Sequence, residues 1–128
     1  MTSLFTRIVS GQIPCHKIME DEKYLAFLDI RPINPGHTLV IPKQEINYIF
    51  DIDDDLLSGL IIFAKKVSKK IYQVMPCQRI GMMVAGIEVP HAHIHLIPIN
   101  GVKDLNFSLA KSMANEELAG IAEKIRSV

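Results

Sequence analysis

Histidine recurs at every second position in His91-Ala92-His93-Ile94-His95-Leu96-Ile97-Pro98. A period of two belongs to a strand, which turns alternate side chains to opposite faces. On a strand the three imidazoles line one face, while Ala92, Ile94 and Leu96 enter a core on the other. A helix would scatter the rings around its circumference. Same-face neighbours on a strand lie roughly 6.5–7 Å apart, so adjacent rings touch only by tilting. That spacing suits successive atoms of an extended anion. Neutral imidazole offers one donor and one acceptor. Its ordinary pKa of about 6.5 lets it act as nucleophile, acid or base near neutrality. A lone histidine is ordinarily structural or exposed. Three at period two, with His37 as a fourth of the five in the chain, point to a site.

The rest of the chain bounds what such a site can serve. At 128 residues, a single domain over positions 1–128 is expected, long enough to bury a core without disulfide staples. Lys and Arg number 14 against 14 Asp and Glu, so no broad basic field recruits nucleic acid, and an anion must be held locally. Cys15 and Cys77 stand far apart with no CxxC, which reads as a reduced, cytoplasmic protein. No secretory signal pattern and no apolar run of about 20 residues is found, so no membrane partner is expected.

Leu4, Phe5, Ile8 and Val9 have helical spacing, and predict a short helix over residues 3–10 stopped by Gly11. Strands are expected at 16–19 and 24–29, joined by the turn Asp21-Glu22-Lys23 as a hairpin. Arg31-Pro32-Ile33-Asn34-Pro35-Gly36 reads as a loop, and 37–41 as a third strand ended by Pro42. Leu56, Leu57, Leu60, Ile61, Ala64, Val67 and Ile71 trace the apolar stripe of a long helix over 53–74. Asp51, Asp53, Asp54 and Asp55 at its start and Lys65, Lys66, Lys69 and Lys70 toward its end fit the helix dipole better than a metal or phosphate site. A fourth strand at 79–84, the loop 85–90, the histidine strand and a tail helix at 115–126, capped by Asn115 or Ser112, complete the chain. The order lacks regular βαβ alternation and predicts an α+β domain with a mainly antiparallel sheet.

These residues resemble a known family. His91-Ala92-His93-Ile94-His95-Leu96-Ile97 is similar to the histidine-triad signature, His-φ-His-φ-His-φ-φ with φ apolar. Phe27 to Lys43, FLDIRPINPGHTLVIPK, resembles that family's second hallmark, and the hairpin region from Ser10 to Asp29 also fits. The resemblance implies the HIT fold: a five-stranded antiparallel sheet, one long helix, and short N-terminal and C-terminal helices. It implies a homodimer and an activity at the α-phosphorus of purine nucleotides or their conjugates. Nucleoside phosphoramidates, aminoacyl-adenylates and, in one branch, dinucleoside polyphosphates are the implied substrates. By position, His93 would be the nucleophile that forms a nucleotidyl-histidine. His95 would contact the phosphate and aid the leaving group, His91 would orient the nucleophile, and His37 would support the cluster. Asp29 would hold the ribose hydroxyls, and Ile13, Phe27 and Ile30 would wall the base, with Phe5 nearby. Taken alone, Asp29 is a turn residue at a strand end, and Ile13 and Ile30 are core.

The chain departs from that pattern in three places. Zinc-binding members carry CxxC near the start and a histidine after Ile-Pro-Lys; here Ser3, Thr6 and Glu45 stand instead, and only His91 remains. The resemblance therefore implies no metal and no cofactor. The loop before the triad is shortened, with no matching asparagine. Ile87 replaces a glutamine, leaving backbone N–H groups around Gly86, Glu88 and Val89 as the expected anion donors. Three functions stay open: a metal-independent nucleotide hydrolase or transferase; a weakly catalytic purine-nucleotide-binding dimer acting through partners; and a metalloenzyme using His91, His93, His95 or His37.

Overall fold

Tyr24-Leu25-Ala26-Phe27-Leu28 is apolar at every position, as a strand covered on both faces requires. In the computed structural model, which describes residues 2–128, this segment is strand β2 (Tyr24–Leu28), buried throughout. It pairs on one side with β1 (Lys17–Glu20) and on the other with β3 (Thr38–Pro42). β4 (Arg79–Met83) and β5 (Ile94–Ile99) complete a five-stranded sheet of order β1-β2-β3-β5-β4, antiparallel at every pairing. Three helices accompany it: α1 (Leu4–Val9), α2 (Asp54–Val74) and α3 (Asn115–Arg126). The α+β architecture and the antiparallel sheet are as the sequence predicts, with strand ends displaced by a residue or so.

Alternation along the strands builds two cores. Ala26, Leu28, Val40, Ala92, Ile94 and Leu96 face α2 and α3, meeting Leu60, Phe63, Val67, Ile71, Leu118 and Ile125. Leu25, Phe27, Leu39 and Ile41 face the other way and pack with Phe5 of α1. Burying each such large side chain stabilises the fold by roughly 1.5–3 kcal/mol. Gly59 lets α2 approach β2 closely, because a Cβ there would lie 2.0 Å from the Tyr24 hydroxyl. That hydroxyl donates to the Leu56 carbonyl at 2.9 Å.

Four expectations are corrected. The ladder of the histidine strand begins at Ile94, so His91, Ala92 and His93 run ahead of it. The reason lies across the sheet. Pro42 ends β3 and has no N–H to donate, and its carbonyl accepts from the His91 ring. Side-chain alternation nevertheless continues through Ala92, which is fully buried in the helix-side core. The four lysines of α2 precede its last turn, which holds no basic residue; the dipole acts only over that turn, so they form a solvated face. At the other end Asp53 does cap α2, accepting from Leu56 N at 2.9 Å. Neither Asn115 nor Ser112 caps α3. Asn115 Oδ1 accepts from His16 Nε2, and Ser112 Oγ accepts from Arg31. Finally, Ile13 is only half-buried and Ile30 is 63 % exposed, so neither is core.

Gly36 positions the third strand. Its φ of +94° is left-handed, and an added Cβ would stand 2.6 Å from Met75 Cγ. Gly11 shares the left-handed backbone, at +84°, with open space around it. Gly11→Ala is expected to cost only the backbone strain of about 1–2 kcal/mol. Gly36→Ala adds the clash and is expected to cost about 3 kcal/mol or more. Urea denaturation of the two variants checks this; equal losses would show that the Met75 contact is immaterial.

Candidate active site

One face of the sheet carries a cleft of about 590 Å³, walled by α1, the ends of β2 and β3, and the loop after β4. His93 and His95 line it. His37 and His91 are fully buried and stand behind them. All eight other residues singled out from the sequence border the same cleft: Phe5, Ile13, Phe27, Asp29, Ile30, Gly86, Glu88 and Val89. Phe5, Ile8, Ile13, Phe27 and Leu39 give it apolar lining, and Asp29, Arg31, Glu88 and the two imidazoles give it polar lining.

Hydrogen bonds to the main chain assign the ring protons. Ile33 N donates to His37 Nδ1 at 3.0 Å, so neutral His37 carries its proton on Nε2. That Nε2–H donates to His95 Nδ1 at 2.9 Å, which puts the His95 proton on Nε2. His93 Nδ1 lies 2.8 Å from the His91 carbonyl, which can only accept, so the lone pair of His93 is on Nε2. His91 Nε2 likewise donates to the Pro42 carbonyl at 2.7 Å. The neutral form of His93 thus offers the cleft a lone pair on Nε2, and His95 offers it an N–H. The rings of those two residues do tilt together, with centroids 4.9 Å apart.

Burial keeps the supporting imidazoles neutral. It lowers the pKa of His37 to about 4 and that of His95 to about 3, with the neighbouring His37 and His93 adding to the latter. His91 is also lowered, again chiefly by burial. Neutral His37 makes no ion pair with Asp29, whose Oδ2 is 3.6 Å from Nε2, farther than His95 Nδ1. Burial raises the Asp29 pKa against the opposing hydrogen bond from Arg31 N, which donates to Oδ1 at 2.9 Å.

Several residues at the cleft were not found from the sequence. Phe107 stacks edge-on against His95 with centroids 4.8 Å apart. It lies between β5 and α3, in a segment strapped down by Arg31 Nη1 to Ser112 Oγ and by Met113 N to the Ile30 carbonyl. An isolated aromatic among turn residues carries no periodic signal. Cys15, Leu4 and Ile8 also line the cleft. Helical spacing marked Leu4 and Ile8 as apolar, without saying what they face.

The metal readings meet the donor chemistry. Asp29, His37 and His95 place ligand atoms within 4.8 Å of one another. The Nδ1 of His37 is occupied by the Ile33 amide, however, and its Nε2 holds the proton. A metal there would require an imidazolate or the loss of that amide bond. Ser3, Thr6, Glu45 and His91 do converge, but two of them are neutral hydroxyls bonded within the cluster. That set does not fit a structural zinc, which takes thiolate, imidazole or carboxylate ligands.

A HIT-domain family model matches residues 10–101, covering the sheet, α2 and all four clustered histidines. The chain belongs to the histidine-triad, or HIT, family. It is 40% identical over 102 residues to an adenosine 5'-monophosphoramidase of Schizosaccharomyces pombe, spanning 77% of this chain and 74% of that one. A HIT-like protein from Bartonella henselae, described as involved in cell-cycle regulation, superposes with a TM-score of 0.87 at 30% identity, covering 98% and 95% of the two chains. A zinc-bound histidine-triad protein of Mycobacterium smegmatis superposes at 0.85 with 26% identity, over 99% and 92%.

The buried imidazoles set a pH dependence. Unfolded, they bind protons below about pH 6.5; folded, His37 and His95 resist until about 4 and 3. Between these limits the unfolded chain holds more protons, so stability is full above pH 6.5 and falls as pH drops. The loss is roughly 1.4 kcal/mol per pH unit per group. Urea midpoints are expected to hold down to about pH 6.5 and to drop steadily from there to pH 5. A flat profile would mean that these rings are not held neutral.

Proposed function

We propose that this HIT-family protein hydrolyses purine nucleoside phosphoramidates, or the related aminoacyl-adenylates, at the α-phosphorus. The observation that carries the reading is the His93 Nδ1 bond to the His91 carbonyl, which leaves Nε2 as a free lone pair at the cleft. The activity named for the Schizosaccharomyces pombe relative supports the substrate class.

In the first step a bond forms between His93 Nε2 and phosphorus while the bond to the leaving group breaks. That bond is P–N in a phosphoramidate, whose departing amine takes up one proton from solvent, or P–O in an aminoacyl-adenylate, whose carboxylate leaves as the anion. In the second, water attacks phosphorus and the bond to Nε2 breaks. The water gives up its proton, and the nucleoside monophosphate leaves. Splitting one displacement into two lowers each barrier. The His95 Nε2–H donates to a phosphate oxygen, and the His37 donation holds it in that tautomer. Among the described residues, the N–H groups of Gly86, Ile87, Glu88 and Val89 make no hydrogen bond within the protein, which leaves them free for phosphate. Asp29 Oδ2 accepts from the ribose hydroxyls, and the apolar lining holds a flat base by area. In this reading His93 and His95 act on substrate, while His91 and His37 position them.

His93→Ala is expected to lower turnover of adenosine 5'-phosphoramidate by at least about a thousandfold. AMP affinity, measured by calorimetry, is expected to stay within about threefold, since the apolar cleft is untouched. Quenched wild-type enzyme is expected to show one nucleoside monophosphoryl group on His93 by mass spectrometry. Equal turnover in variant and wild type would refute the nucleophile.

A homodimer is also proposed. β4 is an edge strand, and Met82 and Val84 at its end and Ile61, Ile62 and Tyr72 on α2 leave large apolar surface exposed. Ile62→Glu is expected to shift sedimentation toward the monomer. A wild-type protein that is monomeric at high concentration would sink the dimer.

A further inference from the structure

Ser3, Thr6, Glu45 and His91 come from three separate stretches of chain and share one directed set of hydrogen bonds. Glu45 Oε1 accepts from Ser3 N at 2.7 Å and from Thr6 Oγ1. Ser3 Oγ accepts from Thr6 N at 3.1 Å and lies 3.0 Å from His91 Nδ1. Because His91 Nε2 donates to Pro42, its Nδ1 is an acceptor, so the Ser3 hydroxyl donates to it. The Thr6 hydroxyl spends its proton on Glu45. Thr6 Oγ1 also lies 3.3 Å from Ser3 Oγ and 3.4 Å from His91 Nδ1, so the two hydroxyls, the carboxylate and the imidazole form one network, and the His91 ring has a partner at both nitrogens.

α1 has six residues, far fewer than the 12 to 15 or so that a helix needs to stand alone. Its place is set by tertiary ties: the packing of Phe5 and this polar cluster. It has no acidic residue in its own first turn, and Glu45 supplies one from across the fold. Phe5 stands edge-on to His93, with centroids 5.0 Å apart at 89°, and Leu4 and Ile8 line the cleft. A shift of α1 therefore moves both the cleft wall and the ring beside the nucleophile.

We propose that Glu45 is a positioning residue that latches α1 to the segment after β3, and so sets the cleft wall and the seat of His93. The proposal rests on the cleft's being the nucleotide site. The bonds from Thr6 and Ser3 hold the Glu45 pKa down to about 2, so the latch stays charged throughout the neutral range.

The test uses full-length protein with Glu45→Ala and Glu45→Gln. The amide keeps one oxygen to accept from Ser3 N and Thr6, loses the charge and carries an NH2 in place of the second oxygen. Glu45→Ala is expected to weaken AMP binding about tenfold and raise KM for adenosine 5'-phosphoramidate to match, with kcat within about threefold. Glu45→Gln is expected to recover most of that loss. In ligand-free protein, the imidazole NMR signals of His93 are expected to shift in Glu45→Ala and to return toward wild type in Glu45→Gln. A purely stabilising Glu45 would lower the folded fraction, scaling kcat while KM and AMP affinity per folded molecule stayed put. That result, or unmoved His93 signals, overturns the proposal. If wild type turns over no phosphoramidate, the hydrolase reading fails, and the His93 signals still decide the latch.

Discussion

Ile33 donates its backbone N–H to His37 Nδ1, and the protonation of the two rings beyond it follows from that bond. A neutral imidazole has one proton, so fixing one nitrogen as acceptor fixes the other as donor. The donation passes from His37 to His95, whose own N–H then faces the cleft. A second main-chain partner, the His91 carbonyl, fixes His93 in the same sense and with the opposite result at the cleft. An acceptor and a donor thus stand side by side without any charged group to arrange them. Burial is what makes the scheme hold, since it penalises the imidazolium form and keeps the supporting rings neutral.

The fold serves these two backbone partners. The loop carrying Ile33 is closed by His37 N to the Asn34 carbonyl and by Asn34 Nδ2 to the Pro98 carbonyl. Gly36 makes the turn that delivers His37, in a space where any side chain would strike Met75. Pro42 ends one strand and frees the neighbouring segment from the ladder, so that His91 and His93 satisfy side-chain bonds there instead. A proline at a strand end and a left-handed glycine are ordinary devices; their effect here is to aim imidazoles.

Much of this was legible in the chain. Period-two histidines, the apolar stripe of α2 and the two-proline loop are local patterns; the last two led to the right elements, and the first to the right faces although the strand begins only at Ile94. The eight pocket residues named from the sequence, five by the histidine-triad resemblance and three by their backbone N–H groups, all border one cleft. Other parts were not legible. Phe107 reaches His95 only because a tail segment without periodicity is folded back by Arg31. Ser3, Thr6 and Glu45 could be read as places where a zinc set is missing, not as a cluster in their own right, because 39 or more residues separate Glu45 from its partners. The lysines of α2 cluster toward its end in the sequence, but its last turn lies further on and holds no basic residue.

The sequence by itself determined which side chains share a face, because alternation and helical spacing are properties of neighbouring residues. It determined the antiparallel α+β order and the chemistry available at the site. Tertiary structure decided which nitrogen of each imidazole carries the proton and which two of the four histidines reach the cleft. It also decided what stands where thiol ligands could have been. Those outcomes depend on backbone groups and carboxylates brought in from distant parts of the chain, and no spacing within a strand or helix encodes such partners.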